Sequence, residues 1–151
     1  MAANTSPIFT MAANLAPSIW TSSLTGNVKN DGTGTIATDM VKAVTGSTEG
    51  TFVQKLRFNP CGSTAATATT ASVIRVYISS VGSGSTTRTD TFLWAEVAVA
   101  AQTTDQTTTA TVPIEIPLGF IIPTGYFVHW SMHHAAAVNT SWGCIPVASN
   151  Y

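Results

Sequence analysis

The sequence predicts an all-β protein, a single antiparallel β-sandwich of jelly-roll type with about eight to nine short strands. Three observations carry this expectation. Runs rich in Val, Ile, Thr and aromatic residues alternate with clusters of Gly, Pro, Asn, Asp and Ser along the whole chain. The helical period, with apolar residues three and four apart, is nearly absent. Threonine occurs 26 times, and its branched Cβ suits a pleated surface better than a helix. At 151 residues the chain suits one domain and can bury a core without disulfide or metal staples.

Residues 1–17 are expected to form an extended N-terminal arm and residues 18–151 the sandwich. MAAN stands at 1–4 and again at 11–14, each followed three residues later by a proline, Pro7 and Pro17. This echo is too short for a solenoid repeat, and each proline favours extended backbone before it. An arm reaching a neighbouring subunit and a frayed terminus both fit.

Within the sandwich region, SIWTSSLTGNV (18–28) reads as a strand and KNDGTGT (29–35) as a turn centred on Asp31-Gly32. IATDMVKAV (36–44) fits either one face of a short helix or, by its length, a strand. TFVQKLRF (51–58) alternates, with Phe52, Leu56 and Phe58 on one face and Val53, Lys55 and Arg57 on the other. NPCGSTAATATT (59–70) reads as a loop or weak edge. SVIRVYIS (72–79) sets Ile74, Val76 and Ile78 against Val73, Arg75 and Tyr77. SVGSGSTTRTD (80–90) has little to bury and reads as a flexible tip.

TFLWAEVAVAA (91–101) is a further strand, and QTTDQTTT (102–109) a polar break. TVPIEIPL (111–118) alternates Val112, Ile114, Ile116 and Leu118 with Pro113, Glu115 and Pro117. Two prolines cannot both donate to a central ladder, which marks an edge or bulged strand. Pro123-Thr124-Gly125 reads as a tight turn between two strands, and TSWGCIPVAS (140–149) closes the chain.

Composition narrows the function classes. Charged residues make up 9%, against roughly 25% in an average soluble protein. The formal charge is -1 and the six Lys and Arg are scattered, so no nucleic-acid footprint is present. No apolar run approaches the roughly 20 residues of a membrane helix. A surface so poor in charge tends to associate, which points to like subunits or a larger assembly covering it. The N-terminus lacks the charged and apolar regions of a secretory signal, so folding in a cytoplasm is expected. There Cys61 and Cys144 are expected as free thiols, a bridge being the rarer alternative.

Residues of a type that carries chemistry are few. If 124–134 is a strand, His133 and His134 point to opposite faces and cannot grip one metal together. His129 and His133 share a face but stand roughly 13 Å apart at about 3.3 Å per residue, whereas zinc needs nitrogens within roughly 2 Å. A bend after Met132, or a symmetry axis gathering copies of one histidine, is what a metal site would require. Glu96 and Glu115 lie on separate strands with unknown separation. No G-x-S-x-G elbow, P-loop or H-E-x-x-H occurs. Asn4-Thr5-Ser6 and Asn139-Thr140-Ser141 match the glycosylation sequon, to little effect without a secretion signal. Trp20, Trp94, Trp130 and Trp142 would fill a core or subunit interface if buried, or stack on sugar rings if exposed. The reading from residues is therefore no catalytic, cofactor-binding or metal-ligating residue.

The order of several stretches adds a resemblance. DGTGT (31–35), LRF (56–58), VIRVYI (73–78), EV (96–97) and IPTGY (122–126), then a strand ending near His133, resemble a group of small structural proteins encoded among tailed-bacteriophage genes. The resemblance spans about residues 14 to 151, and it rests on the order of motifs that are individually common. It implies a jelly-roll capsid decoration or cement protein, often trimeric, in contact with the major capsid protein or another virion component. It carries no catalytic residue and no cofactor. The expectation is a non-enzymatic virion protein made in the host cytoplasm, with no nucleic-acid or membrane partner. The alternative is a carbohydrate-binding sandwich of a tail or head fibre. A hydrolase built on Glu96, Glu115 and the histidines is a third and poorer option.

Overall fold

The computed structural model describes residues 12–62, 67–104 and 110–151. Among them are thirteen strands and no helix. They are β1 (Ala12–Asn14), β2 (Ser18–Trp20), β3 (Gly34–Thr35), β4 (Val41–Thr45), β5 (Thr51–Gly62), β6 (Thr67–Ala68) and β7 (Ser72–Ser79). Then follow β8 (Ser85–Thr86), β9 (Thr91–Val99), β10 (Thr103–Thr104), β11 (Ile114–Ile122), β12 (Phe127–Met132) and β13 (Thr140–Asn150). The number exceeds the expected eight or nine because β1, β2, β3, β6, β8 and β10 are only two or three residues long. Such fragments leave no periodic signal.

The long strands form an antiparallel sandwich, as the sequence predicts. One layer has the order β1–β13–β5–β11, with β2 also on β13, and the other β4–β12–β7–β9. The chain crosses between layers from β4 to β5, β5 to β7, β9 to β11, β11 to β12 and β12 to β13. Most connections between the long strands therefore pass from one layer to the other. Ala12–Asn14, placed in the arm by sequence, pair with Asn150–Ala148; residues 1–11 of that arm lie outside the described residues. Pro146 of β13 sits at the gap between β1 and β2, where a residue without an N–H costs no ladder bond.

Three indoles anchor the core. Trp20, Trp130 and Trp142 are fully buried with Phe58, Leu56 and Ile74. Trp130 lies 5.7 Å from Trp20 and edge-on to Phe58 at 5.1 Å, centroid to centroid. Both indole donors that this packing takes from water find acceptors. Trp130 Nε1 donates to Ser18 Oγ at 2.8 Å and Trp20 Nε1 to the His134 carbonyl at 3.1 Å. Replacing such a ring with alanine typically costs about 3–5 kcal/mol.

A bulge corrects the reading of the faces of β5. On β5, Lys55 pairs with Val147 but Val53 with Ala148, so Gln54 is an extra residue. The phase flips there. Val53 joins Leu56 and Phe58 in the core, and Phe52 turns to the outer face. The matching shift on β11 falls between Pro117 and Phe120, where Gly119 takes φ 70°. β11 is thus both an edge and a bulged strand, as its prolines predict. On β9, Trp94 is the extra residue, between Ala95 opposite Val76 and Leu93 opposite Tyr77.

Other readings change with the crossings. IATDMVKAV is neither one helix nor one strand. A turn at 37–39 precedes β4, with Ala37 at φ 72°. The Pro123–Gly125 turn closes by Tyr126 N–H to the Pro123 carbonyl at 3.2 Å, but its two strands lie in different layers and form no hairpin. Residues 80–90 are no loose tip. β8 pairs with β3, and Thr86 Oγ1 donates to the Gly32 carbonyl at 2.7 Å. Short hydroxyls succeed here where apolar pattern gives no sign, by bonding backbone carbonyls that the loops expose.

These loops cover the outer face of the second layer. Arg75 and Tyr77 face them and are buried. Arg75 Nη1 donates to the Asn27 carbonyl at 2.8 Å, and Tyr77 Oη to the Lys29 carbonyl at 3.1 Å. Ser79 Oγ and Thr91 Oγ1 bond at 2.6 Å. The second layer therefore has an apolar inner face and a hydroxyl-rich covered outer one, which explains why SVIRVYIS is buried on both sides.

Candidate interaction surface

The histidines do not form the arrangement that alternation predicts. β12 ends at Met132, so His133 and His134 leave the strand. Their rings stack at 4.6 Å between centroids, 9° from parallel. Imidazole lone pairs lie in the ring plane, so two parallel rings send them side by side and not to one point. His129 is buried apart from them, its Nε2 2.8 Å from the Val81 carbonyl. Among the described residues no three His, Cys, Asp or Glu side chains gather to hold a metal ion.

The two glutamates face away from each other. Ile114 and Ile116 point inward, so Glu115 points outward from the first layer, where Lys55 Nζ lies 2.8 Å and Arg57 Nη1 3.7 Å away. The hydrogen bond from Lys55 holds the Glu115 carboxyl below its usual range. Glu96 accepts from Arg75 Nε at 2.7 Å on the outer face of the second layer. The two carboxylates thus sit on opposite outer faces, each beside a cation. Cys61 is exposed and Cys144 buried, both as free thiols. Asn139 sits in an exposed turn with φ 65°, while Asn4 lies outside the described residues.

What sequence reasoning missed is an apolar edge. β9 and β11 end their layers on the same side of the sandwich, and Trp94 packs on Phe120 across the gap at 4.7 Å. Phe92, Leu93 and Trp94 are 61%, 36% and 49% exposed, and Ile121 of β11 is 55% exposed. The bulge produces this: it turns Trp94 out of the ladder while the other three tryptophans stay in the core. FLW within a strand run gave one available signal, three large apolar residues in succession, which no single-faced strand can bury. β11 guards its own outer edge with Pro117. β9 has no proline or lysine there, only the bulge and Glu96.

The outer face of the first layer is also open. Its apolar members Ile19, Ile121 and Ile145 are exposed, and Ile145 stands opposite Arg57.

No family model and no curated protein matches this chain. Among solved structures, it is similar to a chain in the crystal structure of the T13 IBDV viral particle. The identity is 14% and the TM-score 0.29, over 100% of this chain and 35% of that one. This chain thus spans about a third of that chain's length, and so loose a superposition carries no argument about function.

Proposed function

We propose that this protein is a non-enzymatic structural component of a virus particle, of the capsid decoration or cement type found on tailed bacteriophages. Its copies associate through the β9–β11 edge, as trimers, and sit on the major capsid protein or another virion component. It is made in the host cytoplasm and has neither a nucleic-acid nor a membrane partner.

The observation that carries this reading is the open edge of β9, with Phe92, Leu93 and Trp94 exposed in succession. Contiguous apolar surface of this kind marks a contact site, and aromatic residues are enriched in such sites. The hydroxyl-rich, charge-poor surface supports it, because hydroxyls bond across a contact without the desolvation cost of buried ions. On a closed lattice, many weak contacts add up. The order of strand and turn motifs, which resembles that of phage structural proteins, is what favours a phage particle in this reading.

Sedimentation of the purified chain at micromolar concentration tests the reading. A trimer is expected, and a folded monomer for the Leu93→Asp, Trp94→Ser double substitution. A wild-type monomer, or an oligomer indifferent to the double substitution, overturns the proposed contact.

A second reading, glycan binding on a fibre, is favoured by one observation, the half-exposed Trp94 indole beside Phe92. Specific glycan-array hits abolished by Trp94→Ala would favour it over self-association.

A further inference from the structure

His129 is buried with one of its two ring nitrogens left without a partner. Its ring lies on the outer face of the second layer, fully buried under the segment that follows β7. The Val81 carbonyl can only accept, so Nε2 carries the proton and Nδ1 holds the bare lone pair. Nδ1 is buried and has no hydrogen-bond partner. The covering segment lies tight against the same strand, since a Cβ added to Gly82 would stand 2.6 Å from Phe127 Cζ. Phe127 in turn stacks on His129 at 6.0 Å and 15°.

We propose that His129 is an acid-released clip: it holds Val81–Gly82 on β12 while neutral, and lets that segment lift when Nδ1 takes a proton. A protonated ring would bury a charge and a second N–H with nothing to receive it. The groups around it offer no relief. From β4, Lys42 sits cross-strand from His129 with its Nζ 5.4 Å from the Phe127 ring centroid, and repels a second cation. From β7, Tyr77 faces it, but its hydroxyl is engaged with Lys29 and Ser131. From the covering segment, Asp90 is taken by Thr87 and Thr91, and Arg88 is exposed. Among the described residues no carboxylate faces the ring.

Lifting Val81–Gly82 lets water reach Nδ1, which removes the penalty. The rest of the segment stays anchored by Thr86 on Gly32 and by Ile36 N–H on the Gly84 carbonyl, so the opening is local. The direction of titration agrees. Burial lowers the His129 pKa from 6.5, the bond to Val81 opposes this, and Lys42 adds to the lowering. The clip is therefore closed above about pH 6.5 and opens as the pH falls below it.

Hydrogen exchange of a peptide covering 80–86, corrected for intrinsic rate, tests this at pH 7.5 and pH 5.0. The expected result is a loss of protection of at least tenfold at pH 5.0, with none in a peptide from β13. His129→Gln, which keeps a donor for Val81 but cannot titrate, should show no pH dependence. Equal protection at the two pH values, or the same loss in His129→Gln, overturns the proposal. Should that variant fail to fold, the wild-type imidazole can be titrated by NMR. A His129 pKa at or above 6.5 overturns it as well, and a lower one that tracks the loss of protection supports it.

Discussion

Arg75 and Glu96 meet at 2.7 Å with unequal exposure, the arginine side chain at 8% and the glutamate at 42%. The arginine is committed and its partner is not. Arg75 also satisfies the Asn27 carbonyl, so it ties the covering loop to β7. Truncation to alanine should cost about 2–4 kcal/mol, from lost packing and an orphaned carbonyl. Glu96→Gln should cost about 1 kcal/mol or less, because the carboxylate is half in water. Urea unfolding midpoints of the two variants at pH 7 check the asymmetry, and equal losses would contradict it.

Gly32 and Gly84 separate backbone strain from collision. Both have positive φ, 84° and 79°. A Cβ on Gly32 would collide with the Thr91 carbonyl, whereas one on Gly84 meets nothing within 4 Å. Gly84→Ala should therefore cost only the left-handed penalty of about 1–2 kcal/mol. Gly32→Ala should cost at least about 1 kcal/mol more, since Thr91 is fully buried and backbone must move. Thermal unfolding of the pair gives the difference.

Three carboxyls contribute to the acid limb of stability. Hydrogen bonds from Thr33 to Asp31, from Thr87 to Asp90 and from Lys55 to Glu115 hold each below its ordinary value. For groups lowered on folding, stability is complete above the unfolded values, 3.8 for Asp and 4.5 for Glu, and declines as pH falls through the folded ones. Melting temperatures from pH 6 to pH 2.5 should show a further drop below about pH 4.5, beyond the loss that protonation of buried His129 begins at higher pH. The double substitution Asp31→Asn, Asp90→Asn should flatten that drop.

The two thiols should react on different timescales. Cys61 is exposed, while burial pushes the Cys144 thiol up to about 12. Ellman's reagent at pH 8 should titrate one thiol at once and the second only with unfolding. Two equally fast thiols in the native protein would contradict the placement of Cys144.

The layers were legible in the sequence because alternation and turn residues report one local fact each. Pro113 and Pro117 announced an edge, and Asp31-Gly32 a turn. What stayed hidden depends on partners far along the chain. Gln54 and Trp94 become bulges only because β13 and β7 offer one residue fewer opposite them, and no property of either residue declares that. The stacking of His133 on His134 likewise follows from where β12 stops. The burial of Arg75, Tyr77 and His129 needs the loops that cover them, and those loops are held by Thr and Ser hydroxyls, which look alike in sequence whether engaged or solvated.

The bulge that turns Trp94 outward also gives the molecule an optical label of its own. With the other three indoles sealed in the core, iodide or acrylamide should quench one emitter selectively, at the red edge of the native spectrum. Any contact that shields this edge can then be followed by fluorescence in dilute solution, with no dye attached.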